Sequence, residues 1–130
     1  MREFKLIVAG GRDFSDRELM DREIRNTVAE LPDDRSVSIV SGMAKRTLQD
    51  GTTVSADWLA YEWAIANHCK VYKYYADWNT YGKRAGYLRN EDMAKVSHGL
   101  LAFWDGVSKG TKHMIQTARN MNLYVKVVRY

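Results

Sequence analysis

The sequence predicts an α/β fold of three layers around a mainly parallel five-stranded sheet. Three observations lead there. Short apolar runs alternate with longer stretches in which apolar residues recur at helical spacing. Most of the runs close on glycine or a small polar residue, as strands do before a turn. The 130 residues include one proline and no Ser/Gly-rich or charge-run segment, so no linker divides them. A single domain over 1–130 follows, large enough to bury a core without staples.

Residues 4–9, Phe-Lys-Leu-Ile-Val-Ala, are an apolar run closed by Gly10 and Gly11. They read as a buried strand ending in a tight turn. Ser15-Asp16-Arg17-Glu18 has the spacing of a capping box, with the Ser15 hydroxyl accepting from the Glu18 amide. Met20, Ile24, Val28 and Leu31 then share one helical face, and Pro32-Asp33-Asp34 ends the helix. Residues 37–40 form a second strand closed by Ser41 and Gly42, and a polar loop runs from about 45 to 55. Trp58, Leu59, Trp63 and Ala66 mark a second helix that starts near Ala56. Residues 71–75 are a third strand, 76–86 a long polar-aromatic loop, and 87–96 a third helix. Residues 100–104 are a fourth strand closed by Asp105 and Gly106. Ser108 caps a fourth helix with Ile115 and Ala118 on one face, and residues 124–128 are the last strand. Right-handed crossovers between parallel strands then suggest the order 3-2-1-4-5.

Apolar residues make up 45% and charged residues 28%, the balance of a soluble globular protein. The net charge of +4 favours anionic partners by steering, although it also serves plain solubility. It falls short of a dedicated nucleic-acid arm. The lone Cys69 cannot form an internal disulfide and reads as a partly buried thiol. One cysteine and three scattered histidines argue against a zinc site, and neither a metal nor a cofactor is expected. No stretch resembles a signal peptide or a membrane span, which makes the cytosol the expected compartment. Met20, Met93, Met114 and Met121 are expected in the core.

Chemistry is expected at the carboxyl ends of the strands, in the crevice where strand order reverses. Gly10, Gly11, Arg12 and Asp13 follow the first strand, and Ser41 and Gly42 follow the second. Arg12 suits bidentate pairing with a phosphate, or an ion pair with a neighbour. After the fourth strand, Asp105, Gly106, Ser108, Gly110 and Thr111 form a turn into a helix. Such a turn presents unpaired amides to an anion, yet glycine and threonine also serve as punctuation in any strand-to-helix turn. It has neither the Walker A order nor the dinucleotide G-x-G-x-x-G spacing. The stretch 81–90 is denser, with Lys83, Arg84 and Arg89, two glycines and two tyrosines. With a helix starting at Tyr87, Arg89 and Asn90 fall in its first turn, where an arginine opposes the helix dipole. A local conflict of that kind points to function, here an anion or ribose held nearby. Trp78, alone among the four tryptophans, lies in a polar loop and could stack a base.

These segments resemble the SLOG superfamily, the Rossmann-like group that includes the Lonely Guy phosphoribohydrolases and the DNA-processing protein DprA. The likeness is to its YspA-like branch and covers most of the chain. It rests on Gly10-Gly11-Arg12-Asp13-Phe14-x-Asp16, Ser41-Gly42-Met43-Ala44 and Ala56-Asp57-x-Leu59-Ala60. Two longer motifs follow. One is Ala76-Asp77-Trp78-x-x-Tyr81-Gly82-Lys83-x-Ala85-Gly86-x-x-Arg89-Asn90-x-x-Met93. The other is Ala102-Phe103-Trp104-Asp105-Gly106-x-Ser108-x-Gly110-Thr111-x-x-Met114-Ile115. The resemblance implies a nucleotide-type ligand at the strand edge, with Gly110 and Thr111 at its phosphate, and a homo-oligomer. The pattern departs from the family in two places. About ten residues, 46–55, separate Ala44 from Ala56-Asp57, where the family runs on directly, and would alter a pocket wall or form a lid or oligomer contact. Ser97-His98-Gly99 stands where an acidic residue often precedes the fourth strand.

The Lonely Guy enzymes carry a glutamate on the helix after their Gly-rich turn. The comparable Gly110-Thr111-Lys112-His113-Met114 has no carboxylate, and N-glycosidic cleavage needs charge to offset an oxocarbenium ion. Asp105 or Asp13 could substitute, but no spacing pairs them. The expected function is therefore to bind a nucleotide-derived ligand without turnover, as a sensor or sequestering protein. A phage-borne member could soak up a bacterial immune signal. A nucleoside or nucleotide hydrolase is the second reading, and a DprA-like binder of single-stranded DNA the third.

Overall fold

The computed structural model describes residues 2–32 and 35–130. β1 (Arg2–Gly10) is the central strand, flanked by β2 (Arg35–Ser41) and β6 (Gly99–Trp104). β5 (Val71–Lys73) and β7 (Tyr124–Arg129) form the edges, and every pairing in this sheet is parallel. Counting only sheet strands, the order is the expected 3-2-1-4-5. Helices cover both faces, giving a three-layer α/β fold of Rossmann-like topology.

Side-chain alternation along β1 explains the layers. Leu6 and Val8 face one core with α1 (Arg17–Ala29) and α2 (Ala56–Ala66). Ile7 and Ala9 face the other with α4 (Ala85–Val96) and α5 (Lys109–Asn120). β6 alternates likewise, with Leu101 and Phe103 on the first side and Leu100 and Ala102 on the second. All of these β6 residues are fully buried. Each large one contributes about 1.5–3 kcal/mol of burial.

Several local expectations are corrected. The cap of α1 is Asp16 and not Ser15: its Oδ1 accepts from the Leu19 amide at 3.0 Å. Phe14 is the cause, because it is buried against Phe103 and Tyr130 and takes up chain before the helix can begin. A carboxylate also suits a helix start. The helix closes at Glu30, ahead of Pro32, while Asp33 and Asp34 lie outside the described residues. Met20, Met93 and Met114 are core residues, whereas Met121 is exposed beyond the end of α5. The third sheet strand stops at Lys73 and not at 75.

Two expected loops contain structure. The stretch 45–55 folds back as an antiparallel hairpin, β3 (Arg46–Thr47) against β4 (Thr53–Val54), anchored by buried Val54. The stretch 76–86 holds α3 (Trp78–Tyr81), capped by Asp77, and a 3₁₀ turn over Gly82–Arg84. α4 thus begins at Ala85, which places Arg89 and Asn90 in its second turn. The supposed conflict of Arg89 with the helix dipole disappears. No helix among the described residues is long and apolar enough to cross a membrane.

The turn after β1 is fixed by steric contact. A Cβ on Gly10 would fall 2.4 Å from the Phe103 carbonyl oxygen and 2.8 Å from the Ala56 Cβ. A Cβ on Gly11 would fall 1.7 Å from the Tyr130 hydroxyl oxygen. Gly11→Ala should therefore destabilise the fold by about 1–3 kcal/mol. In a Tyr130→Phe background the closest clash goes while the Asp13 Oδ1 at 2.6 Å stays, and chemical denaturation should show part of that cost removed. Equal costs in both backgrounds would place the constraint elsewhere.

Candidate functional site

β1 ends between strands whose following helices depart to opposite faces. The space above its last residue is therefore left open, as at the switch point of any doubly wound sheet. A cleft of about 440 Å³ occupies it. That lies within the range of small-molecule sites, about 300–1,000 Å³.

One wall is the start of α5. The Asp105 Oδ1 accepts from the Val107 and Ser108 amides, both at 2.8 Å, which holds its carboxyl below the usual range. Asp105 is therefore an anion near neutral pH. Ser108 caps the helix, and its hydroxyl lies 3.3 Å from that of buried Thr111. The Lys109 and Gly110 amides find no acceptor among the described residues. Gly106 turns the chain at φ +87°, against the Arg129 guanidinium and outside the cleft lining.

α4 is tied to this wall by a buried polar contact. The Asn90 Nδ2 donates to the Gly110 carbonyl at 3.3 Å and lies 3.2 Å from the His113 Nδ1. Burial pushes the His113 pKa down, so a neutral ring with Nδ1 as acceptor satisfies the pair. Tyr87 stacks on the same ring, with centroids 4.3 Å apart. Asn90 thus fastens the two helices and lines the cleft at once.

The opposite wall carries a carboxylate that sequence reasoning did not place in the site. Asp57, in the first turn of α2, is 6% exposed and lines the cleft. Its Oδ2 accepts from the Ala44 amide at 3.1 Å. Burial pushes its pKa up to about 6, against the opposing pull of Arg89, the Ala44 amide and Arg12. Arg89 donates Nη1 to the Gly42 carbonyl at 3.1 Å, while its buried Nε has no acceptor among the described residues. A Cβ on Gly42 would lie 3.0 Å from both the Arg89 Nε and the Asp57 Oδ2. A side chain there would wedge between the two charges. Ser41 lies beneath, donating to the Asp57 carbonyl at 2.9 Å.

Trp78 forms part of the rim and is 48% exposed. Its ring passes over Gly86, where a Cβ would meet it at 3.2 Å. The hairpin adds Arg46 to the lining.

The structure gathers Gly10, Gly11, Arg12, Asp13, Trp78, Arg89, Asn90, Asp105, Ser108, Gly110 and Thr111 around one cleft. Ser41 and Gly42 lie behind its wall, and Lys83 is exposed on the 3₁₀ turn outside it. Sequence reasoning missed Asp57, Arg46 and Tyr87 as lining residues. An acidic residue in the first turn of α2, just after the second strand's loop, was the available signal for Asp57. Among the described residues no group of histidine, cysteine and carboxylate side chains could hold a metal.

The raised Asp57 pKa has a definite sign. Folding favours the protonated form, so its contribution is full below the unfolded value near 4 and is lost as pH rises through about 6. The difference amounts to about 2–3 kcal/mol at most. Asp57→Asn should therefore gain stability relative to the unmodified chain as pH rises from 4 to 7, read as a widening difference in melting temperature. A difference that does not vary with pH would contradict this. Compared with protein-family models, curated proteins and solved structures, the chain matches none.

Proposed function

We propose that the chain binds a nucleotide or nucleotide-derived ligand in this cleft and holds it without turnover, as a sensor or sequestering protein. The observation that carries the reading is Arg89. Its guanidinium lines the cleft with Nη1 held by the Gly42 carbonyl and, among the described residues, no salt bridge to a carboxylate, which leaves its charge to a bound anion. Gly110, whose amide finds no acceptor among the described residues, lines the same cavity at the start of α5 and adds a second anion-binding feature. Trp78 offers a ring for a base. The volume suits one nucleotide-sized unit better than a polymer track, which weighs against the single-stranded DNA reading.

Asp105 is a poor proton donor because two amides hold it ionised. The Asp13 Oδ1 accepts from the Tyr130 hydroxyl at 2.6 Å. Asp57 is what favours the second reading, an N-glycosidic hydrolase. It is a buried carboxyl partly protonated near neutral pH, in the range useful to a general acid. Incubation with the four ribonucleoside monophosphates separates the readings. Intact ligand supports binding alone, whereas free base whose release is lost in Asp57→Asn supports the hydrolase.

A Cβ on Gly110 meets nothing within 4 Å, so Gly110→Ala should fold normally. A phosphate seated on that helix start would meet the new methyl. Binding by calorimetry across nucleoside monophosphates, ADP-ribose and cyclic dinucleotides should weaken by about 10-fold or more in Gly110→Ala and in Arg89→Ala. Unchanged affinity in both variants, or no binding across the panel, would overturn the proposal.

A further inference from the structure

The cleft shares its wall with a second cavity. A groove of about 340 Å³ lies beside it, and Arg12, Ala44, Trp78 and Arg89 line both spaces. One indole and two guanidinium groups therefore serve two compartments.

The compartments differ in charge. Asp13, Asp57 and Asp105 line the first beside its arginines. No carboxylate among the described residues lines the second, where Lys45 joins Arg12 and Arg89. Such a groove favours negative charge by Coulomb attraction from several sides. Each space has two aromatic rings in its lining, Trp78 with Tyr87 in the first and Trp78 with Tyr75 in the second. Tyr75 is 68% exposed and lines the groove, and Trp78 is 48% exposed between the two spaces. Neither belongs to either core cluster, although the Trp78 ring packs over Gly86. Lys45 is braced over the Trp58 ring, 5.2 Å from its centroid, which keeps a cation at the groove mouth.

A mononucleotide would fill only the first space. It leaves Tyr75 and Lys45 without a role and two guanidinium groups to share one terminal phosphate. We infer that the ligand is two-headed: two nucleoside units joined through phosphate. The linkage runs from the start of α5 to the shared wall, against Arg12 and Arg89. One unit fills the cleft beside Trp78, and the other fills the groove against Tyr75. This rests on the nucleotide reading above and narrows it to a ligand class.

The test compares each of the four ribonucleoside monophosphates with the pyrophosphate-linked dinucleotide of the same base, by calorimetry on the full chain. At least one dinucleotide should bind about 10-fold or more tightly than its monophosphate, because the second unit adds contacts to a ligand already held. Tyr75→Ala and Lys45→Ala change exposed side chains, and each should draw that affinity ratio towards one. Monophosphates binding as tightly as dinucleotides, or a ratio unchanged in both variants, would overturn the two-headed ligand while leaving the nucleotide reading in place. No binding by either class would remove both.

Discussion

The departure of α2 and α5 to opposite faces of the sheet is the constraint on which the site depends. β1 ends between the strands that precede these helices, and neither helix can cover its last residue. Two helix starts therefore flank an open space, each bringing backbone amides that the helix itself leaves unpaired. Right-handed crossovers make that geometry unavoidable once the strand order is set. The sequence adds close approach. Gly10 and Gly11 let the turn pass between Phe103, Ala56 and Tyr130, so the backbone sits low and the cleft stays deep.

Electrostatics divide the two walls. Asp57 sits at the start of α2, where a carboxylate suits the helix dipole, yet burial lifts its pKa to about 6. Arg89 faces it from α4 with Nη1 fixed to the Gly42 carbonyl and Nε without an acceptor among the described residues. Across the cleft, Asp105 is committed to the Val107 and Ser108 amides before α5, and the Lys109 and Gly110 amides meet no acceptor among the described residues. An unpaired buried polar atom is destabilising by about 1–3 kcal/mol. The first reading of such an atom in a cleft is a group awaiting its partner.

Much of this was legible in the sequence, for a physical reason. Buried parallel strands need apolar runs, and their turns need glycine or small polar residues, so the five strands could be read from the sequence, while the crossover rule only suggested their order. Helix starts were harder. Ala85-Gly86 reads as loop, but α4 begins there because Gly86 lets the Trp78 ring pass close. Ser15 and Asp16 are both good caps, and burial of Phe14, a tertiary effect, chose between them. The hairpin that carries Arg46 into the cleft has strands of two residues, too short for any periodicity to register. Asp57 stood within a motif, but what makes it part of the site is burial near Arg89, whose charge acts on it from 32 positions along the chain. Lys83 shared its segment with Arg89, yet the 3₁₀ turn leaves it outside the lining.

The most direct test of the central claim is a titration of the isotope-labelled protein with adenosine monophosphate and, separately, inorganic phosphate, followed by amide and guanidinium nitrogen NMR. An anion seated at the start of α5 should move the Lys109 and Gly110 amide signals and the Arg89 Nε–H signal together, with a common dissociation constant. Signals that stay still at millimolar ligand, or shifts confined to another face of the sheet, would contradict the account.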